Sequence, residues 1–138
     1  MPDIQQVLGF DFGTKRTGVA SGQTITGTAT PLSTLCNVNN KVDWAGIEKL
    51  IQQCKPDALI VGLPYYLDGS KSDMTTRAEK FSRQLEGRFH LPVYTHNEAL
   101  SSFEAEQFLR DKKKQHNKQD IDKIAAAIIV QSWLEQNT

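Results

Sequence analysis

Apolar and small or polar positions alternate at the start of the chain. In Val7-Leu8-Gly9-Phe10-Asp11-Phe12-Gly13-Thr14, strand periodicity turns Leu8, Phe10 and Phe12 to one face and Val7, Gly9, Asp11 and Gly13 to the other. The single acid thus lies among small neighbours, with room for an ion and a phosphate. Thr14-Lys15-Arg16-Thr17-Gly18 reads as a turn, Val19-Ala20-Ser21 as part of a second strand, and Ile25 to Leu32 as a third. Strands this closely spaced predict an antiparallel meander.

The pattern then changes period. After the loop residues Asn37-Val38-Asn39-Asn40, Asp43 is placed to cap a helix whose Trp44, Ile47, Leu50, Ile51 and Cys54 fall at helical spacing, with Pro56 ending it. Ala58-Leu59-Ile60-Val61-Gly62-Leu63 is apolar without alternation, as expected of a central strand buried on both faces. The polar and aromatic stretch Tyr65 to Ser72, with an Asp68-Gly69 turn, follows that strand, where α/β sheets place ligand loops. Ala78, Phe81, Leu85 and Phe89 line one stripe of the next helix, and Arg77, Lys80, Arg83 and Arg88 fall largely outside it. Pro92 to His96 predicts a fifth strand. Ser101-Ser102-Phe103-Glu104 has the form of a capping box for a helix to about Arg110. The basic stretch Asp111 to Lys118 predicts a loop. A last helix from about Asp120 to Gln136 sets Ile121, Ile124, Ala125, Ile128 and Ser132 on one stripe, with Ile129 and Trp133 beside it.

At 138 residues the chain predicts a single mixed α/β domain with one core. Sixteen basic and sixteen acidic residues cancel, so nucleic-acid binding requires a local patch rather than a bulk charge. Cys36 and Cys54 form no CxxC pair and no disulfide framework, which points to a reducing compartment. The start of the chain lacks the pattern of a signal peptide, and no apolar run approaches the ~20 residues that span a bilayer. The expectation is a soluble cytoplasmic protein with no membrane partner.

Three carboxylates stand at comparable places: Asp11 at the first strand, Glu98 past the fifth, and Asp122 in the first turn of the last helix. Hard cations such as Mg²⁺ or Mn²⁺ take oxygen ligands of this kind and leave positions for a substrate phosphate. A site of this type activates water for phosphodiester hydrolysis. Each acid alone also has an ordinary reading: a turn for Asp11, a loop for Glu98, a macrodipole contact for Asp122.

The run Asp11 to Ala20, then Val61-Gly62-Leu63-Pro64 with Asp68-Gly69 downstream, then Glu98 before Leu100-Ser101, then Asp122 before Ala125-Ala126, resembles the YqgF/RuvX family over nearly the whole chain. The resemblance implies a ribonuclease H-like fold related to Holliday-junction resolvases. That fold has a five-stranded mixed sheet, antiparallel in strands 1 to 3 and parallel in strands 4 and 5, flanked by about four helices. It also implies a nuclease for the 5′ end of pre-16S ribosomal RNA, with Asp11, Glu98 and Asp122 as the catalytic and metal-binding triad. Where the family often has Asp-Glu-Arg, this chain has Asn97-Glu98-Ala99.

Lys15, Arg16, Arg77 and Lys118 are candidates to line a phosphate track, Tyr65 and Tyr66 to stack on unpaired bases, and His96 to assist proton transfer. The leading expectation is a nuclease acting on structured precursor ribosomal RNA, as a monomer or homodimer. The alternatives are a dimeric resolvase of branched DNA, or a nucleic-acid-binding assembly factor whose site is impaired at Asn97 and Ala99. Asp-Phe-Gly-Thr also resembles the first phosphate loop of sugar kinases and actin-like ATPases, but those need two lobes to close on ATP, and no P-loop is present.

Overall fold

The computed structural model of the protein describes residues 4–39, 41–66, 68–97 and 118–137, with the backbone alone for 118–120. Strand β1 (Gln6–Phe12) pairs antiparallel with β2 (Arg16–Gln23), and β2 with β3 (Thr28–Cys36). On its other side β1 takes β4 (Ala58–Leu63) in parallel, and β4 takes β5 (Val93–Asn97) in parallel. The five-stranded order is β3-β2-β1-β4-β5. Three helices are described: α1 (Trp44–Cys54), α2 (Asp73–Phe89) and α3 (Lys118–Asn137). The expected capping box at Ser101 and its helix lie outside the described residues.

The alternation in β1 divides the core as its pattern predicts. Leu8 and Phe10 pack with Val19, Leu59, Val61, Ile47, Ala78, Phe81 and Leu85 under α1 and α2. Val7 packs with Ala20, Ala58, Ile60, Val130, Trp133 and Leu134 under α3. All six residues of β4 are buried, since a central strand with helices on both faces has no solvent side. Each large apolar side chain so buried contributes about 1.5–3 kcal/mol relative to exposure.

Local signals set the helix ends. The Asp43 carboxylate accepts from Gly46 N at 3.0 Å and starts α1, which closes at Lys55 in the left-handed region. α2 starts with a capping box that the sequence reading missed: Ser72 Oγ accepts from Thr75 N at 3.2 Å and Thr75 Oγ1 from Ser72 N at 3.0 Å. Thr75 Oγ1 also donates to Pro64 O, tying both ends of the loop after β4 together.

Four sequence expectations are corrected. Thr14 to Gly18 is not all turn, since β2 begins at Arg16, and Asp122 lies in the second turn of α3 rather than the first, since the helix begins at Lys118. The third strand runs Thr28–Cys36, not Ile25 to Leu32: Ile25 is 85% exposed in the β2–β3 turn, where Gly27 takes φ +66°. Pro31 is accommodated because β3 is an edge strand, with a register shift that skips Leu32. The buried residues of α3 include the expected Ala125, Ile129 and Trp133 together with Ala126, Ala127, Val130 and Leu134, while Ile121 is exposed and Ile124, Ile128 and Ser132 are half-buried. The reason is the shape of the sheet beneath. A Cβ at Gly9 or Gly22 would overlap the Val130 side chain, and one at Gly18 would overlap the backbone of Asp122. These glycines form a trough that seats Val130 and the Asp122 backbone, and this turns the helix so that Ile121, Ile124 and Ile128 lie at its flank.

Candidate functional site

The carboxyl ends of β1, β4 and β5 share one edge of the sheet, because the three strands are parallel. Asp11 is half-buried there, on the face that α3 covers. Its ladder partner across the hairpin is Gly18. Residues opposed in this way have Cβ positions about 5 Å apart. The backbone carbonyl of Asp122 lies where a Gly18 side chain would be. The missing side chain therefore lets the second turn of α3, which carries Asp122, pack against the ladder partner of Asp11.

Arg16 belongs to the same face and supplies a countercharge. Its Nε donates to Asp122 Oδ2 at 2.8 Å, with the two side chains 26% and 23% exposed. An arginine in that position relieves the repulsion expected of clustered carboxylates. The turn that delivers it, Gly13-Thr14-Lys15, is held by Asn37, in the predicted loop after the third strand. Asn37 Nδ2 donates to Thr14 O at 2.8 Å and Gly13 O at 3.3 Å, and Asn37 N donates to Lys15 O at 2.9 Å. The only hint in the sequence is an asparagine directly after a strand, a residue able to bond to nearby backbone.

The remaining expected residues divide. Glu98 lies outside the described residues, although its neighbour Asn97 ends β5 at the edge where Asp11 sits, opposite Leu63. Lys15 is exposed in the β1–β2 turn. Arg77 is exposed on α2, across the sheet from Asp122, and Lys118 opens α3 without a described side chain. Tyr66 is 59% exposed and Tyr65 half-buried, in a tight loop closed by Tyr66 N to Ser70 O at 3.0 Å. His96 faces α3, where Nε2 pairs with Ser132 Oγ at 2.9 Å. Burial pushes its imidazole below the ordinary 6.5. That contact is structural, and Tyr94 next to it packs on Trp133 at 5.7 Å.

The donor set fits a hard divalent cation: Asp122 Oδ2 is shared with Arg16, and carboxylate oxygens can serve a cation and a guanidinium together. Among the described residues alone, no group of three or more metal-ligating side chains is formed. The third ligand would have to come from the residues that follow Asn97.

The family model described as RuvX: Holliday junction resolvase matches residues 5–136. The chain belongs to the RuvX family. Two similar RuvX-family relatives are both named "Putative pre-16S rRNA nuclease". The one from Pseudomonas putida is 52% identical over 141 residues, covering 100% of both chains. The one from Pseudomonas fluorescens SBW25 is 50% identical over 138 residues, covering 98% of this chain and 95% of the relative. Among solved structures, RuvC of T. thermophilus in complex with a Holliday junction substrate aligns with a TM-score of 0.60 at 14% identity, over 96% of this chain and 95% of that one. The fowlpox virus resolvase in complex with Holliday junction DNA gives a TM-score of 0.60 at 15% identity, over 96% of this chain and 99% of that one. These two likenesses bear out the expected ribonuclease H-like fold for this RuvX-family chain. No helix among the described residues is long and apolar enough to cross a membrane.

Proposed function

We propose that this protein is a metal-dependent nuclease, a single ribonuclease H-like domain that processes the 5′ end of pre-16S ribosomal RNA in the cytoplasm. The observation that carries the reading is the packing of the Asp122 backbone on Gly18, the ladder partner of Asp11, at the carboxyl edge of the parallel strands. The names of the full-length relatives supply the substrate.

In this reading Asp11, Glu98 and Asp122 hold Mg²⁺ or Mn²⁺. Bound there, the cation supplies charge neutralisation at the scissile phosphate and activation of a water. Asp11 and Asp122 are fixed by the strand and the helix, so their oxygens are positioned before substrate arrives. Arg16 orients Asp122 through its Nε, and its remaining N–H groups, with Lys15, are available to phosphate oxygens.

The test is cleavage of precursor 16S RNA with Mg²⁺ by wild type and by Asp11→Asn. Cleavage by the wild type and its loss in the variant is the expected result. Cleavage at the wild-type rate in Asp11→Asn would overturn the assignment.

A further inference from the structure

A cleft lies on the face away from α3. It has a volume of about 540 Å³ and is lined by Phe12, Val42 and Trp44 with the cations Lys41, Arg77, Lys80 and Arg88 and the amide of Gln84. Among the described residues no acid lines it, in a chain whose total charges cancel. Arg77, Lys80, Gln84 and Arg88 recur at intervals of three and four residues, which puts them on one face of α2, and all four are exposed. At 1.5 Å per residue that row extends about 16 Å, long enough to follow several phosphates. Glu79, next to Lys80 in sequence, is engaged elsewhere by Lys71 at 3.1 Å.

The floor is aromatic. Phe12 stacks on the buried Phe81 with centroids 4.9 Å apart, Trp44 stacks on the same ring at 5.6 Å, and the Arg88 guanidinium lies 4.2 Å over Trp44. A flat cation resting on a half-buried indole marks a surface on which a nucleobase can stack in its place. Phe12 follows Asp11 directly, so the cleft begins at the end of β1, on the opposite side of the strand from the acid.

We infer that this cleft holds a single-stranded segment of nucleic acid flanking the acidic site, with phosphates on Lys41, Arg77, Lys80 and Arg88 and a base on Trp44. The inference rests on the nuclease reading only for the class of ligand. Cations in a row supply sequence-independent backbone binding, and the indole distinguishes a nucleic acid from a bare polyanion.

The experiment measures fluorescence anisotropy of a labelled 12-nucleotide oligouridylate in EDTA, with tryptophan emission followed in parallel. Wild type is expected to bind and to lose emission on binding. Arg77→Gln/Lys80→Gln, at two exposed positions that leave the core untouched, is expected to bind about tenfold more weakly. Its slope of log affinity against log salt should be shallower by about 1.4, two phosphate contacts at ~0.7 each. Trp44→Leu is expected to remove the emission change, and an abasic oligomer of the same length is expected to bind the wild type without it. Undiminished affinity and salt slope in the double variant overturn the inference, as does failure of the wild type to bind. Equal emission changes with the abasic oligomer overturn the stacking part. Asp11→Asn separates this failure from that of the nuclease reading: a wrong cleft leaves its cleavage defect intact, and a wrong nuclease leaves its oligomer binding intact.

Discussion

Arg16 Nε donates to Asp122 Oδ2 at 2.8 Å, joining residues 106 positions apart. The pair fastens the second turn of α3 to the start of β2, and it also occupies one oxygen of an acid proposed to hold a cation. Removing the arginine should have opposite effects on the two properties. Arg16→Ala is expected to lose up to ~1 kcal/mol of stability, the range for partly exposed pairs, and to bind Mn²⁺ a few-fold more tightly. Chemical denaturation and calorimetric Mn²⁺ titration check the two halves, and unchanged Mn²⁺ affinity would show that Arg16 does not compete for Asp122.

Gly18 has a steric role. A methyl group there would overlap the Asp122 carbonyl and could be relieved only by moving the helix. Gly18→Ala is expected to cost ~1–3 kcal/mol, the range for overpacking, and to weaken Mn²⁺ binding as well. Gly9→Ala, which meets the Val130 side chain further along α3, serves as the comparison: it should cost stability with a smaller effect on Mn²⁺. Equal effects on Mn²⁺ binding from both would separate the metal site from the Gly18 contact.

His96 gives the fold an acid sensitivity. Burial lowers its folded-state pKa, so the unfolded chain takes up a proton first as pH falls. Its contribution is fully present above pH 6.5, the ordinary histidine value, and is lost as pH falls from there through the lower folded pKa. In His96→Gln the decline in melting temperature below pH 6.5 should be shallower than in wild type. Parallel profiles would mean that another group carries the acid dependence.

Asn37 braces the turn from which Lys15 and Arg16 project. Asn37→Ala strips donors from the carbonyls of Gly13 and Thr14 and should cost ~1 kcal/mol. Hydrogen exchange should rise at the amides of the β1–β2 hairpin and stay unchanged in α2. Increased exchange in α2 would point to global loosening instead.

The strand faces were legible because alternation in β1 is the direct imprint of a sheet covered on both sides: Leu8 and Phe10 go to one core, Val7 to the other. Asp43 announced α1 for an equally local reason. The buried side of α3 was legible in part: Ala125, Ile129 and Trp133 are buried as their spacing implies, but the glycines under the helix select the Val130 face and leave Ile121, Ile124 and Ile128 at the flank. That selection belongs to the partner surface, not to the helix. β3 was displaced because Ile25 carries strand propensity but sits in a turn fixed by Gly27. In the site, Asp11 and Asp122 could be named singly, but the packing that relates them depends on the absent side chain of Gly18. Arg16 could be named only as a cation, since its pairing with Asp122 is set by register between β1 and β2 and by the approach of α3.

The distance along the chain between β1 and α3 also orders events during synthesis. At 5–20 residues per second, a ribosome that has made Asp11 needs on the order of 5 to 20 seconds to reach Asp122. During that interval the nascent hairpin has no helix in its glycine trough, and the acidic patch has only one of its two described carboxylates. A protein whose proposed substrate belongs to the ribosome is thereby kept without a complete site while it is still attached to one.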